Sequence, residues 1–320
     1  MIKLGFVGVG SMGKNHLRVA MELNKYFNVV GICDCDEKRS KEMSEIFGVD
    51  VYTDIEELLN CVDAIVIATP ASTHYEIGLK AVKLGKHVLM EKPVCLSIED
   101  AEKLKTALKS NVFMVSHVER FNPVVVELCK LIQKEEVVAI EMHRCSPYDK
   151  RIFDADVIED LMIHDADILI NELWPHEINE MTAFGNHMFS KKNYDYVEAL
   201  IKFKDNVICS IVSSRSTQDK IRTINVHTKS GYYKADMLNR HLTITRRTKY
   251  TETENTQYKQ DNVVETLVLP LSEPLKEEYI TFYNCIVNKL TPKTNINSSI
   301  NTLKFCKKIQ DICSQTKNNN

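Results

Sequence analysis

Short apolar runs alternate with helix-like segments over the first third of the chain, and the first run ends in glycines. Residues 2–7 are mainly apolar and lead into Gly8; an amphipathic stretch follows to about residue 25, and residues 27–33 form a second apolar run. Ala64–Ala68 shows no alternation of polar and apolar residues, which is typical of a strand covered on both faces. Strands that alternate with helices pair in parallel through right-handed crossovers. The pattern therefore predicts a doubly wound parallel sheet, an α/β fold.

The pattern changes after Asn122-Pro123. Helical periodicity is found at residues 124–134 and 159–173, and strand-like runs separated by turn residues follow at 137–144, 197–203, 207–213, 222–228, 232–235, 242–245 and 263–269. Two helices, over 275–288 and 298–313, precede a polar end. We therefore predict one domain over residues 1–121, and an α+β domain with a largely antiparallel open sheet over 122–314. Residues 315–320 are predicted to be a disordered tail.

Composition excludes several classes of protein. The chain has 320 residues, with 41 Lys and Arg against 44 Asp and Glu, a net charge of −3 that argues against a general nucleic-acid binder. No stretch approaches the ~18 apolar residues of a membrane span, and the N-terminus does not resemble a signal peptide. The ten cysteines include no C-x-x-C pair, which favours reduced thiols. We predict a cytoplasmic protein without a nucleic-acid or membrane partner.

The glycine-rich segment after the first strand predicts a dinucleotide site. Gly8-Val9-Gly10-Ser11-Met12-Gly13 is a G-x-G-x-x-G between a predicted strand and a predicted helix, the context that this motif requires. The first glycine permits the tight turn, the second lets the backbone approach a pyrophosphate, and the third allows close packing of helix on strand. Unpaired N–H groups at the helix start would hold the phosphates.

Asp34 ends the second predicted strand, 26 residues after Gly8. A carboxylate at this position accepts hydrogen bonds from the ribose hydroxyls of an adenosine and repels a 2′-phosphate. This favours NAD as the cofactor. NADP stays open, because Lys38 and Arg39 lie close by in the sequence.

Two further segments follow predicted strands and are expected at the same edge of the sheet. Ala68-Thr69-Pro70, with His74 four residues later, follows one strand, and Glu91-Lys92-Pro93 follows the next. Ligands of open parallel sheets bind outside these carboxyl ends. We therefore expect Thr69, Pro70, His74, Glu91 and Lys92 to contribute to the cofactor site. An exposed, salt-bridged loop lysine is the alternative for Lys92.

Asp160 and His164 are four residues apart on a predicted helix and would share one face. A carboxylate beside an imidazole sets its tautomer and tunes its pKa towards neutrality, as proton transfer requires. The alternative is an ordinary surface pair. A metal site of His164, Asp165 and Asp167 is disfavoured, because these side chains point in different directions around a helix, and no metal is predicted.

These motifs, in this order, resemble the Gfo/Idh/MocA oxidoreductase family over nearly the whole chain. The remaining members of the set are His117-Val-Glu-Arg120-Phe-Asn122-Pro123 and the late Glu273-Pro274-Leu275. The resemblance implies a Rossmann domain followed by a mostly antiparallel domain, and a homo-oligomer, a dimer or tetramer, that often assembles through the sheet. It also implies that Lys92, Asp160 and His164 act together on a sugar or cyclitol hydroxyl, with Arg120 and Asn122 near the substrate.

Within the family, residues 160–167 and 231–236 most resemble the UDP-N-acetylglucosamine 3-dehydrogenases. This implies a nucleotide sugar as the substrate, with UDP-N-acetylglucosamine oxidised at C3 as the named candidate. Arg144, Arg151 and Lys220-Ile-Arg222 are candidates for its diphosphate, since arginine forks suit phosphate oxygens. The alternatives are an inositol-like dehydrogenase and a sensor that binds NAD without catalysis.

Overall fold

The computed structural model describes residues 1–149, 156–247, 251–252, 258–259 and 262–318. These form two compact units. The first contains Met1–Phe121 and Glu273–Lys304, and the second contains the described residues of Asn122–Ser272 and of the chain from Phe305 onward.

The strands and helices of both units follow in chain order. The strands are β1 (Ile2–Val7), β2 (Phe27–Cys33), β3 (Asp50–Val51), β4 (Ala64–Ile67), β5 (His87–Glu91), β6 (Phe113–Ser116), β7 (Val137–Cys145), β8 (Ile178–Asn186), β9 (Tyr196–Phe203), β10 (Ile208–Ser214), β11 (Ile221–Thr228), β12 (Gly231–Asp236), β13 (His241–Arg247), β14 (Thr251–Glu252), β15 (Tyr258–Lys259) and β16 (Asn262–Leu267). The helices are α1 (Ser11–Glu22), α2 (Glu37–Phe47), α3 (Ile55–Cys61), α4 (His74–Lys83), α5 (Ile98–Ala107), α6 (Pro123–Ile132), α7 (Ile163–Ile168), α8 (Pro274–Asn288) and α9 (Ile296–Asn318).

The first unit is built on a six-stranded sheet in the order β3-β2-β1-β4-β5-β6. All of its strand pairs are parallel. Every residue of β4 is buried, as expected for a strand with an apolar layer on each face. Its helices begin and end at the residues that the sequence marks: Ser97 accepts a hydrogen bond from the Asp100 N–H before α5, and Gly85 follows α4 with φ +76°. The predicted parallel α/β sheet is confirmed.

The second unit contains an eight-stranded sheet in the order β16-β13-β12-β11-β7-β10-β9-β8. Only the β7–β10 pair is parallel among its described pairs. Residues alternate strictly between exposed and buried along β9, so one face of the sheet packs on a core and the other does not. This confirms the predicted, largely antiparallel second sheet.

Three features of the chain differ from the predictions. Glu273–Lys304 belongs to the first unit rather than to the second, because α8 places Tyr279 and Phe282 in the core around β1 and α1. The predicted helix over 159–173 is interrupted: α7 is flanked by π-helical turns at Ile158–Met162 and Leu169–Leu173. The predicted disordered tail begins too early, since α9 continues through Asn318.

No helix in the described part of the chain is long and apolar enough to cross a membrane.

Candidate active site

The glycine-rich loop lies between β1 and α1, and one side of its backbone faces open space. Gly8 has φ +84°, and a Cβ there would lie 2.6 Å from the carbonyl oxygen of Ala68. A Cβ on Gly13 would lie 2.1 Å from the Gly8 carbonyl oxygen, so only glycine fits both positions. A Cβ on Gly10 would meet no atom within 4 Å. The loop is therefore closed on the protein side and open on the side where a pyrophosphate would approach.

The start of α1 supplies the donors for such a group. Gly10 precedes the helix and offers no side-chain cap, and Ser11 and Met12 follow at its first, exposed positions. The first N–H groups of a helix lack partners within the helix, and the helix dipole favours an anion beside them. The residues present fit the phosphates of a dinucleotide.

Asp34 is held rigidly at the end of β2. Its Oδ2 accepts a hydrogen bond from the Val9 N–H at 2.8 Å and its Oδ1 accepts one from the Asp36 N–H at 2.9 Å. Arg39 Nη1 lies 3.4 Å from both carboxylate oxygens. Burial acts to raise the pKa of Asp34, but the two backbone donors and the arginine outweigh it and lower the pKa on balance. The group is therefore a fixed anion at neutral pH.

A cavity of about 640 Å³ opens beside the glycine-rich loop and Asp34. Thr69 and Pro70, which follow β4, line it as well, so the structure brings together the segments after β1, β2 and β4. Sequence reasoning missed Thr53 and Ile55, which also line it. The sequence gives little indication that these two residues follow a strand, because the strand that precedes them, β3, is only two residues long.

His74 is not among the residues that line this cavity. The ring is buried, with Nδ1 2.8 Å from the Pro93 carbonyl oxygen and Nε2 2.9 Å from the Thr69 carbonyl oxygen. Burial lowers the pKa of His74 despite these two acceptors. His74 thus links the segment after β4 to the segment after β5, instead of lining the predicted cofactor cavity.

Glu91 and Lys92 lie at the carboxyl end of β5, where the sequence places them, and the Lys92–Pro93 peptide bond is cis. The Glu91 carboxylate is engaged inside the unit: His16 Nε2 lies 2.9 Å from Oε1, and the Lys92 N–H donates to Oε2 at 3.1 Å. Glu91 therefore acts on its neighbours in the protein, while sequence reasoning placed it against the cofactor. His16 belongs to none of the motifs found in the sequence.

In the second unit, Asp160 is paired with an arginine that sequence reasoning missed. Arg215, next after β10 and almost fully buried, donates from Nη2 to Asp160 Oδ2 at 3.1 Å. Asp160 lies in the π-helical turn before α7, and His164 lies half-buried within α7. Departures from α-helical geometry of this kind are frequent at functional sites.

The predicted substrate cations have different surroundings. Arg144 is buried, and its Nε and Nη2 donate to Asp165 Oδ1 at 3.0 and 2.7 Å, so it forms an internal ion pair rather than a surface site for a diphosphate. Arg120 is buried, and Asn122 accepts from the Val124 N–H as the cap of α6. Arg151 lies outside the described residues. Asp165, one of the three groups of the disfavoured metal site, is the carboxylate that pairs with Arg144.

The chain is similar to known dehydrogenases. Residues 2–117 match the GFO_IDH_MocA model, described as an oxidoreductase family with an NAD-binding Rossmann fold. The chain is 28% identical over 248 residues to the UDP-N-acetylglucosamine 3-dehydrogenase of Acidithiobacillus ferrooxidans, which covers 76% of each protein. It is 27% identical over 254 residues to an inositol 2-dehydrogenase of Rhizobium meliloti, covering 73% of this chain and 76% of that one.

The solved structure of the Acidithiobacillus ferrooxidans enzyme, GnnA, superposes with a TM-score of 0.87 at 25% identity, over 97% of both chains. The fold and the cavity define a nucleotide-binding Rossmann domain. The order of the chain's motifs and these similarities point to the Gfo/Idh/MocA dehydrogenases, and the family model covers residues 2–117 of the 320.

Proposed function

We propose that the protein oxidises a secondary hydroxyl of a sugar or nucleotide sugar and uses NAD as the hydride acceptor. The observation that carries this proposal is the cavity formed by the glycine-rich loop, Asp34 and Thr69. Gly8, Gly10 and the start of α1 would hold the pyrophosphate, and Asp34 the adenosine ribose. When bound, the nicotinamide supplies the hydride chemistry, and the protein supplies binding and alignment.

We assign the acid–base roles to the residues that the resemblance to the dehydrogenase family implies. In this proposal His164 accepts the proton of the substrate hydroxyl, and Asp160 orients the imidazole or a neighbouring hydroxyl. Lys92 donates a hydrogen bond to the reacting oxygen and stabilises the negative charge that develops there. The contact between Arg215 and Asp160 supports this assignment, because it keeps the carboxylate oriented in a partly buried turn.

UDP-N-acetylglucosamine, oxidised at C3, is the substrate that we propose first. Similarity to the Acidithiobacillus ferrooxidans enzyme over most of both chains supports it. Lys220, which is exposed, and Arg222 are the described members of the predicted diphosphate set besides Arg144, which pairs with Asp165. An inositol-type substrate is the second candidate, which the inositol 2-dehydrogenase relative supports.

A panel experiment tests this proposal. NAD is mixed with the protein and UDP-N-acetylglucosamine, UDP-glucose, free hexoses or inositols, and NADH formation is followed by absorbance. Turnover of a UDP-sugar alone supports the first substrate class, and turnover of inositols alone supports the second. Measurable NAD binding without turnover across the panel would contradict catalysis and favour a sensor.

Lys92→Ala is predicted to lower kcat by about a hundredfold or more, because a donor aimed at a developing oxyanion is worth roughly 3–4 kcal/mol. NAD binding, measured by calorimetry, is expected to stay within about threefold of wild type, since Lys92 does not line the cavity beside Asp34. Lys86→Ala, on the loop before the same strand, serves as the control. Wild-type turnover in the Lys92 variant would remove this residue from the mechanism.

A further inference from the structure

A chain of buried hydrogen bonds joins α1, α8 and the carboxyl end of β5 within the first unit. His16, in the second turn of α1, is fully buried. Its Nε2 lies 2.9 Å from Glu91 Oε1, and its Nδ1 lies 3.0 Å from the hydroxyl of Tyr279. Both ring nitrogens are therefore engaged, by partners that are 75 and 263 residues away in the sequence.

The chain ends on the backbone of Lys92. Glu91 uses one carboxylate oxygen for His16 and the other for the Lys92 N–H, at 3.1 Å. Burial acts to raise the pKa of Glu91, but the hydrogen bond and charge of His16, together with Lys92, lower it on balance. Glu91 therefore stays ionised and keeps its acceptor available to Lys92.

In either protonation state of the ring, the contact with Tyr279 is compatible with a hydrogen bond from His16 Nε2 to Glu91. The pKa of Tyr279 is raised well above the usual value, first by burial and then by Glu278 and Glu91, so the phenol keeps its proton. With the neutral imidazole, the phenol can donate to Nδ1, which leaves the proton on Nε2 to donate to Glu91. The same two contacts would also serve a protonated ring, with both nitrogens donating.

A gain in folding stability does not by itself explain the buried hydrogen bonds of His16, Glu91 and Tyr279. Replacing a buried ionic or strongly polar pair by apolar side chains of similar volume is often neutral or stabilising. A polar chain that ends beside a reactive residue can instead limit that residue's movement, and a displacement of about 1 Å can cost about a hundredfold in rate. The geometry of His16 and Glu91 is of this kind.

We propose that His16 is a positioning residue for Lys92, which acts by holding Glu91 against the Lys92 backbone, and that Tyr279 orients His16. The proposal rests on the proposed function, which gives Lys92 its part in catalysis. It concerns how the lysine is held, and neither His16 nor Tyr279 needs to touch substrate or cofactor.

The test compares three variants by steady-state kinetics with NAD and the sugar that the panel identifies. His16→Leu removes both hydrogen bonds and is expected to lower kcat about ten- to a hundredfold, with KM for NAD changed less than about threefold. His16→Gln keeps an amide that can donate to Glu91, and is expected to recover at least half of that loss on a logarithmic scale. Tyr279→Phe, which removes one oxygen atom, is expected to lower kcat about three- to tenfold.

The pH profile of kcat separates positioning from simple structural support. The titratable and charged groups facing Glu91 are His16 through its hydrogen bond, Lys92 next to it, and Tyr279, His74 and Glu278 through charge. In His16→Leu only Lys92 still offsets the burial of Glu91, so the pKa of Glu91 rises and the acidic limb of the profile moves to higher pH. A purely structural loss would lower the folded fraction without moving this limb.

His87→Gln is the matched control, because His87 begins the same strand and accepts a hydrogen bond from the Val112 N–H at 2.9 Å. It is expected to lower the melting temperature without changing kcat or its pH profile. If Lys92→Ala is inactive while His16→Leu and Tyr279→Phe keep wild-type kcat and pH profile, the positioning role is wrong and the proposed function stands. If Lys92→Ala itself keeps wild-type turnover, both are wrong. Should His16→Leu fail to fold, the Tyr279→Phe result decides.

Discussion

We propose that one carboxylate and one guanidinium set the preference for NAD over NADP. Asp34 is fixed by two backbone N–H groups, and Arg39 lies 3.4 Å from it in the lining of the same cavity. As long as Asp34 is present, it repels a 2′-phosphate and also attracts the arginine that could bind one. In this proposal the pair favours NAD by two effects, and one substitution can separate them.

Asp34→Ser is predicted to shift the ratio of kcat/KM for NADP over NAD towards NADP by about ten- to a hundredfold, because the repulsion is lost and Arg39 becomes available. The measurement is NAD(P)H formation under matched substrate. In the double variant with Arg39→Gln, most of the gain in NADP use is expected to disappear. An unchanged ratio in Asp34→Ser would mean that this pair does not set the preference.

Residues with local signals could be predicted from the sequence, and those that act through distant contacts could not. Gly8, Gly13 and Asp34 were predicted because a turn, a close approach and a strand end each demand a particular residue type. His16 and Arg215 were missed because their partners lie 75 and 55 residues away, and nothing in the neighbouring sequence marks them. Arg144 was misassigned since an arginine in a strand gives no sign of a buried carboxylate partner.

At the scale of elements, strands with strong apolar patterns were found and weak ones were not. The predicted strands near β1, β2, β4, β9 and β10 have mostly buried or strictly alternating residues. The edge strand β8 was missed because only Ala183 of its nine residues is fully buried, so the sequence pattern is faint. The π-helical turns around α7 were missed because they keep a helix-like apolar pattern.

Helix α8 contains a buried acid, Glu278, whose titration should make the free energy of unfolding depend on pH. Glu278 is fully buried, and its Oε2 accepts a hydrogen bond from the Ser116 hydroxyl at 2.8 Å. Burial, and then the charge of Glu91, raise the pKa of Glu278 well above the usual 4.5, while Ser116 and Lys293 oppose the shift. The folded protein therefore binds this proton more tightly than the unfolded chain does.

Because the pKa of Glu278 is raised in the folded state, its contribution to the free energy of unfolding is fully present below about pH 4.5. This contribution is lost as pH rises towards the pKa of Glu278 in the folded protein. Glu278→Gln removes this titration. The free energy of unfolding of the variant minus that of wild type is predicted to increase with pH above about 4.5, by at most about 1.4 kcal/mol per pH unit. Urea unfolding at several pH values measures it, and a difference independent of pH would contradict the buried neutral acid.

At the scale of the whole molecule, one face of the second sheet exposes apolar side chains. Phe184, Leu200 and Ile208, on three adjacent strands, are 63, 48 and 45% exposed. Exposed apolar residues on neighbouring strands are typical of an interface. This surface supports the predicted homo-oligomer, a dimer or tetramer.

We therefore expect light scattering to give a mass of two or four chains, and Leu200→Glu to lower it because the charge would be buried unpaired in the interface. Ile46→Glu, at an exposed site on α2, is the control and should keep the wild-type mass. A monomeric wild type would contradict assembly through this face.

The division of the chain into units could be predicted only in part. The change of pattern near Asn122 indicates where the chain passes from the first unit to the second. No change in composition indicates that the chain returns to the first unit at Glu273. Contacts such as that of Tyr279 with His16 join residues that the chain order separates widely, and periodicity carries no information about them.

This return has a consequence for biosynthesis. A ribosome that has released the first 121 residues has produced all six strands of the parallel sheet, yet the helix that completes the sheet's apolar layer and supplies Tyr279 is still more than 150 residues from being translated. Domains generally fold as units during translation. The first 121 residues therefore lack their complete apolar layer until the entire second sheet has been translated. Their affinity for the coenzyme is expected to reach its full value only when translation is nearly finished.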